Sequence, residues 1–332
     1  MTHRRITALA VAVALASGVA GCASAPPLVD PPPAPAVAPP VLDAAQESAI
    51  LADVGETLAA TAEARSAKGL AARLSGPALA IRKSELAVAK TLKKDDYLTE
   101  LPTSVVSTTT TTEQGWPRSV VAVSEQPELQ TERLLVLTQD DARSDYRLWA
   151  WARLFPKVVL PPLATVAVGS PQLAPDAEGL LVTPQAAVDA YADVLTKPKK
   201  SEHLDELGDD PFREQVAKIS ALQNKALKAA SGKQTMTFTP VPGSVVSIGT
   251  VDGGAIVVGE MTVLEVRTAE DGATISPGTD VEKALTKKLD VANEMTISYT
   301  TVVALRVPPA GSADKITALG VEHVATGASI PK

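Results

Sequence analysis

A single cysteine, Cys22, occurs in 332 residues. No internal disulfide can form, so stability has to come from packing. Histidine is nearly as scarce. Of the three present, His3 sits in the first residues, which leaves His203 and His323. That supply argues against a transition-metal site, and no cofactor is implied. Positive charge is also short, with 31 basic against 38 acidic residues. A phosphate-binding surface needs the opposite balance, so nucleic acid is not an expected partner. An anionic bilayer would not attract such a chain electrostatically either. There is no H-E-x-x-H, no P-loop, no G-x-S-x-G elbow and no dinucleotide fingerprint, and so no catalytic constellation.

What is present begins with Arg4-Arg5, an apolar run from Ile6 to Ala20, and then Gly21 before Cys22. A basic start, a short apolar stretch and small closing residues describe a secretory signal peptide over 1–21. The run is shorter than the roughly 20 residues a spanning helix needs. Arg4 and Arg5 would leave with it, making the remainder more acidic still. An exposed free thiol on an exported protein invites mixed disulfides, so a modified Cys22 is the better reading.

After Cys22 the sequence to Val41 carries eight prolines. Proline fixes φ and removes a donor, so 22–41 reads as an extended stalk at about 3.1 Å per residue, reaching up to roughly 60 Å. At Asp43 helix formers begin, with Gln46 completing a capping-box pattern and Leu51, Val54 and Leu58 on one face. A second helical region covers 70–93, with an interruption expected at Gly76-Pro77. Strands follow at 104–113, 119–124, 134–137 and 145–155. The last alternates, placing Trp149 and Trp151 on one face with Arg147 and Arg153. Residues 161–180, punctuated by proline, read as an interdomain linker. Helices are expected from Pro184 and from Pro211, the second capped by Asp209 or Asp210. Strands return at 234–239, 244–251, 255–267, 295–307 and 316–324. A phase shift near Gly259 predicts a bulge there. The polar excursion 268–293 should hold a short helix at 281–289 and otherwise act as a lid or a loose loop.

Both halves therefore run helix, helix, then about four antiparallel strands. The fold expected is α+β, with two tandem domains at 42–160 and 181–328, each about two N-terminal helices on a curved antiparallel sheet. This arrangement resembles the NTF2-like or cystatin-like cone. The stretch Val19-Ala20-Gly21-Cys22 resembles the lipobox of bacterial lipoproteins, with Val19 where leucine is usual. That resemblance implies a diacylglyceryl group on the Cys22 thiol, palmitate among its chains, and cleavage that leaves Cys22 as the first residue. Each buried methylene contributes about 0.8 kcal/mol and two chains give stable anchoring. It also implies a location on the outer face of the cytoplasmic membrane, in a Gram-positive-type envelope. Gly115-Trp116-Pro117-Arg118 with the strands after it is similar to an uncharacterised family of actinobacterial lipoproteins, which implies no catalytic residue.

Six residues form the candidate binding group: Trp116, Arg118, Arg147, Trp149, Trp151 and Arg153. They read either as a core with arginines at its rim or as an aromatic groove with cationic edges, suited to an anionic amphiphile or a protein partner. His203 reads as solvated in a charged link and His323 as a sheet-surface residue. Asp205, Glu206, Asp209 and Asp210 read as an acidic turn capping a helix rather than a cation site. Three functions stay open. They are a non-enzymatic binding or scaffold module at the envelope, a carrier of a small hydrophobic or anionic amphiphilic ligand, and an NTF2-like enzyme using a cavity carboxylate.

Overall fold

The computed structural model describes residues 39–113, 115–286 and 293–330. The expected leader, Cys22 and the expected stalk to residue 38 lie outside the described residues, as does 287–292 of the excursion. Helix α1 (Ala44–Glu63) starts as expected. Asp43 accepts from the Gln46 amide at 2.8 Å and Gln46 accepts from the Asp43 amide at 3.0 Å. Leu51, Val54 and Leu58 are its buried face.

Gly76-Pro77 does not interrupt a helix but begins one, α2 (Gly76–Leu92). Proline fits the first helical turn, where its missing donor costs nothing. Gly76 is needed twice over, because its φ is +49° and a Cβ there would lie 2.5 Å from the Trp149 ring. Just before it, Ser75 donates to the Leu148 carbonyl and Leu148 to that of Arg73, at 3.0 and 2.8 Å.

The strands are β1 (Val105–Thr110), β2 (Arg118–Ser124), β3 (Arg133–Gln139), β4 (Arg147–Leu154), β5 (Gln172–Leu173), β6 (Lys233–Gly249), β7 (Ala255–Thr268), β8 (Glu294–Val307) and β9 (Thr317–Ser329). Between them come α3 (Pro184–Thr196), α4 (Pro211–Leu227) and the short α5 (Asp280–Thr286). All nine strands form one curled antiparallel sheet in the order β1-β2-β3-β4-β9-β8-β7-β6-β5. The fold is α+β, and each half shows the helix, helix, four-strand order. The halves expected at 42–160 and 181–328 share this sheet, and Val37–Lys332 form one compact unit. The main core likewise mixes Val120, Leu137 and Trp151 with Ile256, Val302 and Leu319. A second core lies under α3, where Val188 and Tyr191 meet Val257, Val303 and Ile316.

The linker expected at 161–180 is woven into the sheet. Ser170 donates to the Thr110 carbonyl at 2.9 Å and accepts from the Thr112 amide at 3.0 Å, while Gln172 and Leu173 pair with Ile248 and Ser247. One short segment thus bonds to both outer strands and satisfies edge groups that would otherwise stand open. The bulge expected near Gly259 is in β6 instead. Pairing jumps from Pro240 to Val245 on that strand, while β7 pairs with β8 without a break.

The halves meet at a narrow seam. β4 and β9 pair only through Arg153 with Val321 and Leu154 with Gly320. A Cβ at Gly320 would lie 2.3 Å from the Arg153 carbonyl oxygen, so the approach requires glycine. Beyond the seam, α2 lies beside β9, with Ser84 donating to the Ala325 carbonyl at 2.7 Å.

Gly320→Ala should therefore cost about 1–3 kcal/mol by forcing the two backbones apart. Trp151→Ala should cost about 3–5 kcal/mol by emptying the core. Urea unfolding reads both. A neutral Gly320→Ala would contradict the account of the seam.

Candidate functional site

The six residues expected to form one groove do not converge. In β4, Val136 pairs with Ala150 but Leu137 with Leu148, so Trp149 is bulged and the strict alternation is lost. Trp149 is half-buried against Gly76, whereas Trp151 is fully buried. Trp116, Arg118 and Arg147 gather at the opposite end of the sheet from the seam. There the Arg118 guanidinium lies 4.5 Å over the Trp116 ring, and Arg147 pairs with Asp140. Arg153, at the end of β4, reaches the seam, where the Trp151 indole also lies against Glu322.

Two hollows flank the start of α4 on that side. An open cleft of about 520 Å³ is lined by Leu129, Arg153, Phe155, Phe212, Glu322 and His323 among others. A smaller cavity of about 130 Å³ lies under the helix against Phe212, Met236, Glu265, Tyr299 and His323. Phe212, Gln215 and His323 line both. A third hollow of about 480 Å³ follows the other flank, by Leu195, Val216 and Met236. The cause is how α4 is held. Asp210 caps it, accepting from the Phe212 and Arg213 amides at 2.9 Å each and from the Tyr191 hydroxyl at 3.1 Å. Past that anchored start, Phe212 is the only residue of the helix that is fully buried, and Ile219 and Leu222 stand exposed.

His323 is not the surface residue expected. Its ring stacks on Tyr299 at 4.3 Å and meets Phe212 at 5.3 Å, and Nδ1 bonds the Thr301 hydroxyl at 2.7 Å. Burial pushes its pKa down to about 4, so the ring is neutral. Tyr299 donates to Glu265 at 2.7 Å, and Arg267 joins Glu265 and Glu282 at 2.6 and 3.0 Å, fastening α5 to the sheet. His203 is half-exposed and pairs with Glu206 at 2.8 Å, away from both hollows.

The groups that sequence reasoning missed are Glu322 and Arg133. Glu322 is 94% buried, its exposure being 6%, and its Oε2 has no protein partner. Burial pushes its pKa up to about 7, with Arg153 opposing the rise and Glu85 adding to it. Arg133 is wholly buried directly across from Arg153. It donates to Gln130 Oε1 and the Thr131 carbonyl, and its Nε has no partner. Nothing in the local pattern marks either residue. One lies within β9 beside a histidine, and the other opens β3 after Glu132.

Residues 38–329 match a family described as a domain of unknown function (DUF8094). The chain belongs to this family. No curated protein and no solved structure matches it. The DUF8094 span takes in every described helix and strand, so the seam and its cleft lie inside the family's unit rather than between two units. Among the described residues, no helix is long and apolar enough to cross a membrane.

Glu322 and His323 make opposite demands on pH. Folded Glu322 keeps its proton to about pH 7 instead of its ordinary 4.5, so its contribution to stability is lost as pH rises through that window. Folded His323 stays neutral down to about pH 4 instead of 6.5, so its contribution is lost as pH falls through that window. Urea midpoints between pH 4 and 8 separate the two. Glu322→Gln should leave stability climbing from pH 4 to 6.5, and His323→Gln should leave it declining from pH 4.5 to 7. A Glu322→Gln profile identical to the parent's would contradict the burial of that carboxyl.

Proposed function

We propose that the protein is a lipid-anchored extracytoplasmic binding module of the cell envelope, holding a small hydrophobic ligand in the cleft between α4 and the β4–β9 seam. The observation that carries this reading is the loose seating of α4. A helix of 17 residues with one fully buried side chain leaves hollows on both flanks, lined by aromatic and aliphatic groups with a few polar ones. Ligand sites have this character, at about 300–1,000 Å³. The anchor rests on Arg4-Arg5, the apolar run and Cys22, which would tether the module to the outer face of the cytoplasmic membrane on its proline-rich stalk. The repeated helix, helix, four-strand order reads as a duplicated NTF2-like or cystatin-like unit fused through the seam.

A second reading, chemistry by a cavity carboxylate, is favoured by Glu322 alone, which is buried, unpartnered at Oε2 and shifted toward neutrality. The described residues place no group of three or more metal-ligating side chains there, so binding is the better account.

Two experiments test the proposal. Cys22→Ser should abolish palmitate labelling and move the chain from the membrane to the soluble fraction, and label retained by the variant would refute the anchor. Native mass spectrometry of the full Cys22→Ser chain with envelope lipid extract should show a small-molecule adduct, lost when Gln215→Trp fills the cleft. A clean unliganded mass would favour a scaffold for protein partners. An adduct chemically altered over time by the parent but not by Glu322→Gln would favour the enzyme.

A further inference from the structure

We infer that the seam cleft selects an acid-headed single-chain amphiphile, its anionic headgroup received by Arg153 with the buried Arg133 behind it. This rests on the reading of the cleft as a ligand site and adds the ligand's chemistry. Three arginines are buried among the described residues. Arg82 is matched by Glu85 at 2.9 Å, and Arg267 by Glu265 and Glu282 at 2.6 and 3.0 Å. Arg133, the most buried of the three, has no carboxylate within ion-pair distance. Its two bonds go to neutral oxygens of Gln130 and Thr131, residues that line the cleft.

A buried guanidinium held only by neutral acceptors is expensive, and the like charge of Arg153 directly across the strand pair makes it more so. Arg153 is exposed into the cleft and also has no ion-pair partner among the described residues. The one acid that lines the same cleft is Glu322, and burial pushes its pKa up to about 7, so near neutral pH it offsets only part of the positive charge. The cleft is therefore a positively charged recess suited to an anion. Guanidinium groups match carboxylate and phosphate geometry better than any other side chain.

Part of the wall is apolar, beside the polar Gln130, Thr131, Gln215 and His323. Phe155, Phe212 and Leu154 line it. Leu129 stands at the rim, 98% exposed and at a φ of +57°, a conformation that leucine seldom adopts. An exposed leucine at the mouth and Arg153 on the wall suit a molecule with one charged end and one apolar chain. The volume of about 520 Å³ fits a single chain of medium length.

Titration calorimetry on the full Cys22→Ser chain tests this with laurate, dodecyl phosphate, dodecanol and inorganic phosphate. Laurate or dodecyl phosphate, or both, should bind at least tenfold tighter than dodecanol. The tighter acid identifies the source of the headgroup, and inorganic phosphate should bind far more weakly. Arg153→Gln, at an exposed position, should erase the preference while leaving dodecanol unchanged, and Arg153→Lys should keep part of it. Glu322→Gln should tighten the acids but not the alcohol. Equal affinity for laurate and dodecanol, or a preference surviving Arg153→Gln, overturns the headgroup assignment and leaves the hydrophobic cleft standing. Inorganic phosphate binding as tightly as dodecyl phosphate overturns the amphiphile in favour of a free anion. Failure of every amphiphile to bind overturns the cleft reading itself.

Discussion

Two residue pairs join β4 to β9. Arg153 with Val321 and Leu154 with Gly320 are the only such pairs among the described residues, and the halves meet again where Ser170 bonds to β1. Because that bridge is short, β9 runs on past it without a partner in β4, and the space between has to be filled. α2 fills one side, with Ser84 bonded to the β9 backbone. On the other side the start of α4 fills it incompletely, with Phe212 alone fully buried. The cleft is thus a consequence of how the halves join. A longer seam would close it.

The buried charges divide by what neutralises them. Arg267 with its two glutamates attaches α5 to the sheet, and Arg82 with Glu85 stiffens α2. Both pair buried charges in the way that fixes geometry while adding little net stability, though Arg82 Nε is left without a partner. Arg133 and Glu322 lie close to one another at the seam yet form no ion pair, each with a polar atom left unpartnered. Such groups are rare in a settled core, and in a cleft they mark the place where a ligand could complete the set.

Much of the architecture was legible in the sequence because it is written locally. The Asp43–Gln46 box, Pro184 and Pro211 after their caps, and the alternation in β8 each place an element from its own residues. The expected groove failed for a reason that periodicity cannot reveal. A single bulge at Trp149 breaks the phase of β4, so Trp151 goes into the core while Arg153 reaches the seam. The linker at 161–180 also looked structureless, since proline suppresses the strand pattern, yet Ser170 and Leu173 bond to both outer strands. Gly320 was the one sequence signal of the seam, a glycine inside a strand, and its meaning depends on which backbone approaches it. Glu322 and Arg133 carried no signal at all, because their roles come from strands distant in the chain.

Hydrogen exchange of the full Cys22→Ser chain, with and without envelope lipid extract, tests the central claim most directly. The account predicts new protection confined to the cleft, at 129–131, 153–156, 211–215 and 321–323, with the Trp116–Arg118 end unchanged. Protection at that far end instead, with the seam unaltered, would contradict it.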